Sequence, residues 1–144
     1  RFSFVAESAG TLKGMLLSYT GRSLGLLNVS TGPHLFSAMG FGPALRFMKR
    51  GASLPGGREA LKDEYYISNL GVDPSAQGLG VGSTLLNFAE NLARNEKLAK
   101  CSLIVGLYNK SALRLYERLG YQIAETVQHE NEALGYHRML KQLP

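Results

Sequence analysis

Cysteine is almost missing from this chain: Cys101 stands alone among 144 residues. A single thiol excludes an intrachain disulfide framework and a cysteine-rich structural zinc site, and no metal is expected. It fits a reducing compartment, so the expected location is cytoplasmic. Long apolar runs are missing as well. The longest uncharged stretch, 23–45, is interrupted by glycine, proline and polar residues, and nothing approaches the roughly 18 residues of a membrane span. Basic residues exceed acidic ones, for a net charge of +5, but they are scattered. Without a Lys/Arg block there is no nucleic-acid or membrane patch to read, only a mild preference for anionic ligands. The first residue is Arg1, directly on strand-like sequence, so targeting signals are not legible.

What is present is a globular composition, 44% hydrophobic against 19% charged, in a length that suits one domain with its own core. Short strand patterns at 2–7 and 12–19, separated by Ser8-Ala9-Gly10-Thr11, predict a β-hairpin. Glycines and prolines then punctuate 20–63, a Gly-rich insert in which 34–50 carries an apolar helical tendency, broken near Gly42-Pro43. A strand over 65–72 ends at Asp73-Pro74. The helical spacing of Val81, Leu85, Phe88, Ala89 and Leu92 predicts an amphipathic helix over about 80–95. The apolar run 101–107 reads as a strand covered on both faces. Asn109 is placed as an N-cap and Gly120 as a C′ residue, with Ala112, Leu115, Tyr116 and Leu119 on one face between them, so a short helix is expected over 110–119. Strands at 121–127 and 134–140 complete a mixed α/β sheet with flanking helices in one domain, 1–144.

The loop between strand 65–72 and the helix after it, Gln77-Gly78-Leu79-Gly80-Val81-Gly82, gathers backbone N–H groups at the positive end of a helix dipole. That is an anion site, and glycine lets a phosphate approach the backbone closely. A nucleotide-hydrolysing loop needs a lysine after its last glycine, and here Ser83-Thr84 follow. A dinucleotide loop would want its third glycine where Ser83 stands, and no acidic residue follows at the right distance on a strand end. A third type, Q/R-x-x-G-x-G/A after a strand ending in Val-x-Pro, matches 72–82. This resembles the GNAT (GCN5-related N-acetyltransferase) family. The resemblance extends through 109–121, which is similar to the family's N-x-x-A-x-x-L-Y-x-x-x-G-F/Y segment.

The resemblance implies that backbone amides of Gln77, Gly78, Leu79, Gly80, Val81, Gly82 and Ser83 hold the pyrophosphate of acetyl-CoA. It implies that Leu70, Gly71 and Val72 pair with the pantetheine arm as an added strand does, and that Asn109 and Ala112 also contact the cofactor. Tyr116 then stands where the family's tyrosine protonates the departing thiolate; read without the resemblance, it is a core aromatic at helical spacing. The implied function is acyl-CoA-dependent N-acylation, with acetyl moving from acetyl-CoA to a primary amine by direct attack in a ternary complex. The alternative is a catalytically weak CoA-binding or regulatory module of the same fold. A homodimer is compatible with either.

The general base is the weak point of the pattern. Several family members place a Glu or His on the strand before the loop, where this chain has Ser68 and Tyr66, expected to share a strand face with Leu70. Either hydroxyl could hold a relay water. Glu64, further along that face, is either a candidate carboxylate or, more simply, a solvated charge at a strand start. His34, His129 and His137 form no constellation, and only His137 has a route toward the acceptor side. Relative to the family pattern the chain starts at the second strand, so the first strand and first helices are expected upstream or lost. Phe41 and its neighbours in the insert are expected to wall the amine site, or otherwise to fill the core.

Overall fold

The structure, a computed structural model, describes residues 3–23, 60–129 and 135–144. The helices expected within 34–50, and Phe41 with them, lie outside the described residues. Within these, six strands form one sheet in the order β1-β2-β3-β4-β6-β5. β1 (Ser3–Ser8) and β2 (Thr11–Thr20) form the antiparallel hairpin. Its two-residue loop has positive φ at both Ala9 and Gly10, the backbone twist that suits a tight hairpin. β2 continues antiparallel against β3 (Tyr65–Val72), and β3 runs parallel to β4 (Lys100–Gly106). The crossover between β3 and β4 contains α1 (Val81–Asn95). After α2 (Lys110–Arg118), β5 (Gln122–Val127) and β6 (Tyr136–Gln142) close the sheet, with β6 inserted beside β4.

The core lies where α1 covers the sheet: Leu85, Leu86, Ala89 and Ala93 pack with Leu16, Ile67, Leu103 and Met139. The expected apolar face of α1 is corrected at one position. Phe88 is 41% exposed, touching Phe4 edge-on at the margin of the sheet, while Leu86 and Glu90 turn inward in its place. Glu90 tolerates burial because Lys141 on β6 brings its ammonium to 2.7 and 2.8 Å from the two carboxylate oxygens, and a buried charge is costly unless paired in this way. α2 is capped as expected: Asn109 Oδ1 accepts from the Ala112 amide at 3.2 Å, and Gly120 ends the helix at φ +90°.

Candidate active site

The parallel pairing of β3 with β4 lasts for three residues, Tyr65↔Cys101 to Ile67↔Leu103, and then the strands part. Beyond Ile67, β3 stays bonded only to β2, so from Ser68 to Val72 its other edge has no strand partner among the described residues. Backbone N–H and C=O groups along such an edge are a template for an added extended segment. Immediately after it, Asp73 caps a 3-10 turn (Pro74–Ala76) by accepting from the Ser75 amide at 2.8 Å, and hydrogen bonds from Ser75 hold its carboxyl below the usual range. That turn aims the loop 77–80 at the start of α1.

The loop amides divide into two sets. The Gln77 and Leu79 amides donate to Pro74 O and Ala76 O at 3.4 and 3.3 Å. Those of Gly78, Gly80, Val81, Gly82 and Ser83 have no backbone acceptor among the described residues, and the first helical bond is from the Thr84 amide to Gly80 O. This leaves a run of donors at the positive end of a four-turn helix, with no acidic residue in the first turn to compete for them. Gly78 and Gly80 sit at φ +78° and +83°, a region that side chains other than glycine's seldom adopt. Gly82 is small for another reason: a Cβ there would come 3.2 Å from Leu115 and 3.6 Å from Val72, so glycine seats α1 against α2 and β3.

These elements enclose one groove of about 500 Å3, within the range of small-ligand sites. Leu70 and Val72 of β3 form one wall, and Gln77, Gly78, Gly80 and the first turn of α1, including Ser83, form the floor. Asn109, Ala112 and Tyr116 stand on the α2 side. Tyr116 is 8% exposed, and burial alone raises the pKa of its phenol, which therefore stays protonated at neutral pH. Its ring packs 6.1 Å from that of Tyr121, while its hydroxyl has no protein partner among the described residues. Tyr116 thus brings a protonated phenol to the α2 side of the groove. Sequence reading missed Ala76, Ser111, Leu115 and Arg118, which also line the groove. Ser111, Leu115 and Arg118 follow the i, i+4, i+7 spacing of a helix face, so the periodicity of α2 carried the signal.

Other expected residues fall elsewhere. Gly71 lies in the β2–β3 ladder opposite Met15 and is not among the groove walls; nor is Leu79, whose amide is spent on Ala76 and whose side chain is 75% exposed. Tyr66 and Ser68 do not share a face with Leu70. In the β2–β3 register Leu17 faces Asn69 and Ser18 faces Ile67, so Ser68 is the extra residue of a β-bulge. The bulge resets the alternation, and Leu70 joins the core side with Tyr65 and Ile67. Tyr66 is buried against Tyr19, at 5.7 Å between ring centroids, and Ser68 Oγ donates to Asn69 Oδ1 at 3.0 Å. Glu64 is the clearest correction. It is 1% exposed, not a solvated charge: Arg138 Nη2 reaches Oε1 at 2.6 Å and also bonds Oε2, and the Leu61 amide donates to Oε2 at 3.1 Å. His137, on β6, shares a 2.9 Å hydrogen bond between Nδ1 and Thr126 Oγ1.

A strand edge, a loop of free amides at a helix start and a tyrosine on a second helix thus converge at the point where two parallel strands part. The sequence matches the profile of the acetyltransferase (GNAT) family over residues 2–121, and the chain belongs to that family. It is 35% identical over 77 residues to an uncharacterized N-acetyltransferase of Methanocaldococcus jannaschii, a match covering 54% of this chain and 31% of that protein. It is 46% identical over 59 residues to a mycothiol acetyltransferase of Acidothermus cellulolyticus, covering 41% of this chain and 17% of that one. These matches span about a third or less of the curated relatives' length. The fold is shared with the PaiA N-acetyltransferase of Thermoplasma acidophilum, solved in complex with coenzyme A, at a TM-score of 0.61 and 15% identity over 97% of this chain and 59% of that one.

Proposed function

We propose that this protein is an acyl-CoA-dependent N-acyltransferase that moves acetyl from acetyl-CoA to a primary amine by direct attack in a ternary complex. One observation carries the reading: a single groove joins five amides at a helix N-terminus to a tyrosine hydroxyl, with a strand edge beside them, all without protein partners among the described residues. The amides of Gly78, Gly80, Val81, Gly82 and Ser83 would take the pyrophosphate, with no metal required for neutralisation. The open edge at Leu70–Val72 would bond the pantetheine arm, and Asn109 and Ala112 would border it. The amine nitrogen bonds to the thioester carbonyl carbon, the C–S bond breaks, and Tyr116 gives its proton to the departing thiolate. Glu64 is committed to Arg138, so we assign the amine's proton to water at the groove rather than to that carboxylate. The same commitment favours the second reading, a CoA-binding module with weak catalysis.

Thiol release from acetyl-CoA across a panel of amines separates the two readings. The enzyme reading expects turnover with at least one amine, and a kcat in Tyr116→Phe reduced roughly ten- to a thousandfold, around the usual contribution of a positioned acid, with acetyl-CoA affinity within about twofold. Tight acetyl-CoA binding without thiol release from any amine would establish the binding module instead.

A further inference from the structure

The ionisable side chains that line the groove are the Tyr116 phenol and the Arg118 guanidinium, and they stand beside the amides at the start of α1. At neutral pH each of these groups is a proton donor, and together with the helix dipole they make the groove electropositive. Burial keeps the phenol protonated, and a guanidinium does not give up its proton in a protein. The carboxylates on the described elements around the groove are engaged or turned away. Asp73 accepts from the amide and the hydroxyl of Ser75, Glu64 is held by Arg138, and Glu90 by Lys141. Glu117 of α2 is exposed outside the groove walls, on a helix that also carries Lys110, Arg114 and Arg118. On β6, His137 is bonded to Thr126. On β3, Tyr65 bonds Ser18 and Tyr66 is buried against Tyr19; on β4, burial pushes the Cys101 thiol up to about 12.

We propose that the acceptor is a weakly basic primary amine of the α-amino kind, rather than an alkylamine such as the lysine side chain. The inference rests on the N-acyltransferase reading above and names the class of amine that it takes. An ammonium has no lone pair for the thioester carbon and must shed a proton before it attacks. In a groove of donors that proton goes to water, and the positive field favours the neutral amine. The rate therefore scales with the fraction of acceptor that is already neutral. At pH 7.5 this is roughly a quarter to two-fifths of an α-amine, with pKa about 7.7–8.0, against roughly one in a thousand of a lysine side chain, with pKa about 10.4. The neutral nitrogen bonds to the thioester carbon and the C–S bond breaks. The sulfur takes the Tyr116 proton, and the proton that the nitrogen then sheds passes through water to refill the phenolate.

The test is thiol release from acetyl-CoA, followed from pH 6.5 to 9.5. Two isomers differ in which amine is free, Nε-acetyl-lysine amide and Nα-acetyl-lysine amide; glycinamide and cadaverine add a second α-amine and a second alkylamine. At pH 7.5 kcat/KM should favour the α-amines about tenfold or more, the greater nucleophilicity of a neutral alkylamine offsetting part of the difference in neutral fraction. For the α-amines kcat/KM should level off near the acceptor's own pKa, about 8, and for the alkylamines it should keep rising about tenfold per pH unit. Alkylamines as good as α-amines at pH 7.5, or a plateau at one pH shared by all four, would show that a group of the protein takes the proton and would overturn the proposal while the enzyme reading stood. Release from other amines but from neither α-amine would overturn it too. Silence with every amine, while acetyl-CoA binds, would remove the enzyme reading and the proposal with it.

Discussion

At its C-terminal end β3 leaves β4 after Ile67 and borders the groove through Leu70 and Val72, its backbone edge on that side unpaired among the described residues. Just before its N-terminal end, Glu64 is buried and gripped by Arg138 from β6, and the Glu64 carbonyl accepts from the Gly21 amide at 2.8 Å. One end offers unsatisfied donors to solvent; the other has its charges satisfied internally. The difference teaches where function can reside along a single strand. A site that binds an anion through amides keeps those amides unpaired, and the rigidity that holds them has to come from elsewhere. Here it comes from α1 seated on Gly82 and from the pair that ties β3 to β6.

The largest effect that should sharpen this contrast is on stability at the paired end. Glu64→Gln leaves Arg138, whose side chain is only 12% exposed, without its counter-charge. Breaking a buried pair from one side costs about 3–5 kcal/mol, visible as a shift of the denaturation midpoint, while acetyl-CoA affinity of the folded protein should stay within about twofold. If the variant bound acetyl-CoA much more weakly while remaining folded, the two ends would be functionally joined. Gly80→Val should show the reverse pattern: acetyl-CoA affinity falls on the order of tenfold or more, the loss of one or more charge-assisted amide bonds, with about 1–2 kcal/mol of stability lost to a left-handed backbone that a β-branched residue resists. Unchanged affinity in a folded Gly80→Val protein would remove the loop from the cofactor site.

A smaller effect concerns the core under the sheet. Cys101 is fully buried, and burial with the nearby Glu90 charge pushes its thiol from 9.0 up to about 12. A folded pKa raised above the unfolded one adds stability that is complete below pH 9 and is lost as pH rises through about 12. Native protein should therefore leave Cys101 unmodified by a thiol reagent at pH 8 and expose one reactive thiol per chain on unfolding. Unfolding free energy should decline between pH 9 and 12, and less steeply in Cys101→Ala. A thiol that reacts at pH 8 at the rate of a free cysteine would mean that the sheet opens beside β4.

The groove was legible in the sequence because its parts are local. Val72-Asp73-Pro74 ends a strand, the glycines allow the loop its turn, and Asn109 and Gly120 bracket α2; each is a short-range rule that the chain obeys. What escaped was long-range. The bulge at Ser68 arises from the register between β2 and β3, and no pattern within 65–72 announces that Leu70 changes face. Glu64 read as a surface charge because its partner lies 74 residues away in sequence. Phe88 and Glu90 exchanged roles on α1 because Lys141 arrives from β6 to neutralise a carboxylate. The glycine at 82 was read as a phosphate requirement, and its packing reason depends on Leu115 of a different helix.

The central claim is that acetyl-CoA is held by the amides at the start of α1. Backbone amide resonances followed during an acetyl-CoA titration test it most directly. The account predicts that the largest shifts fall on Gly78, Gly80, Val81, Gly82 and Ser83, with smaller ones along Leu70–Val72 and at Asn109, and that Glu64 and Arg138 barely move. Saturable binding that leaves the amides of 78–83 unshifted would contradict it.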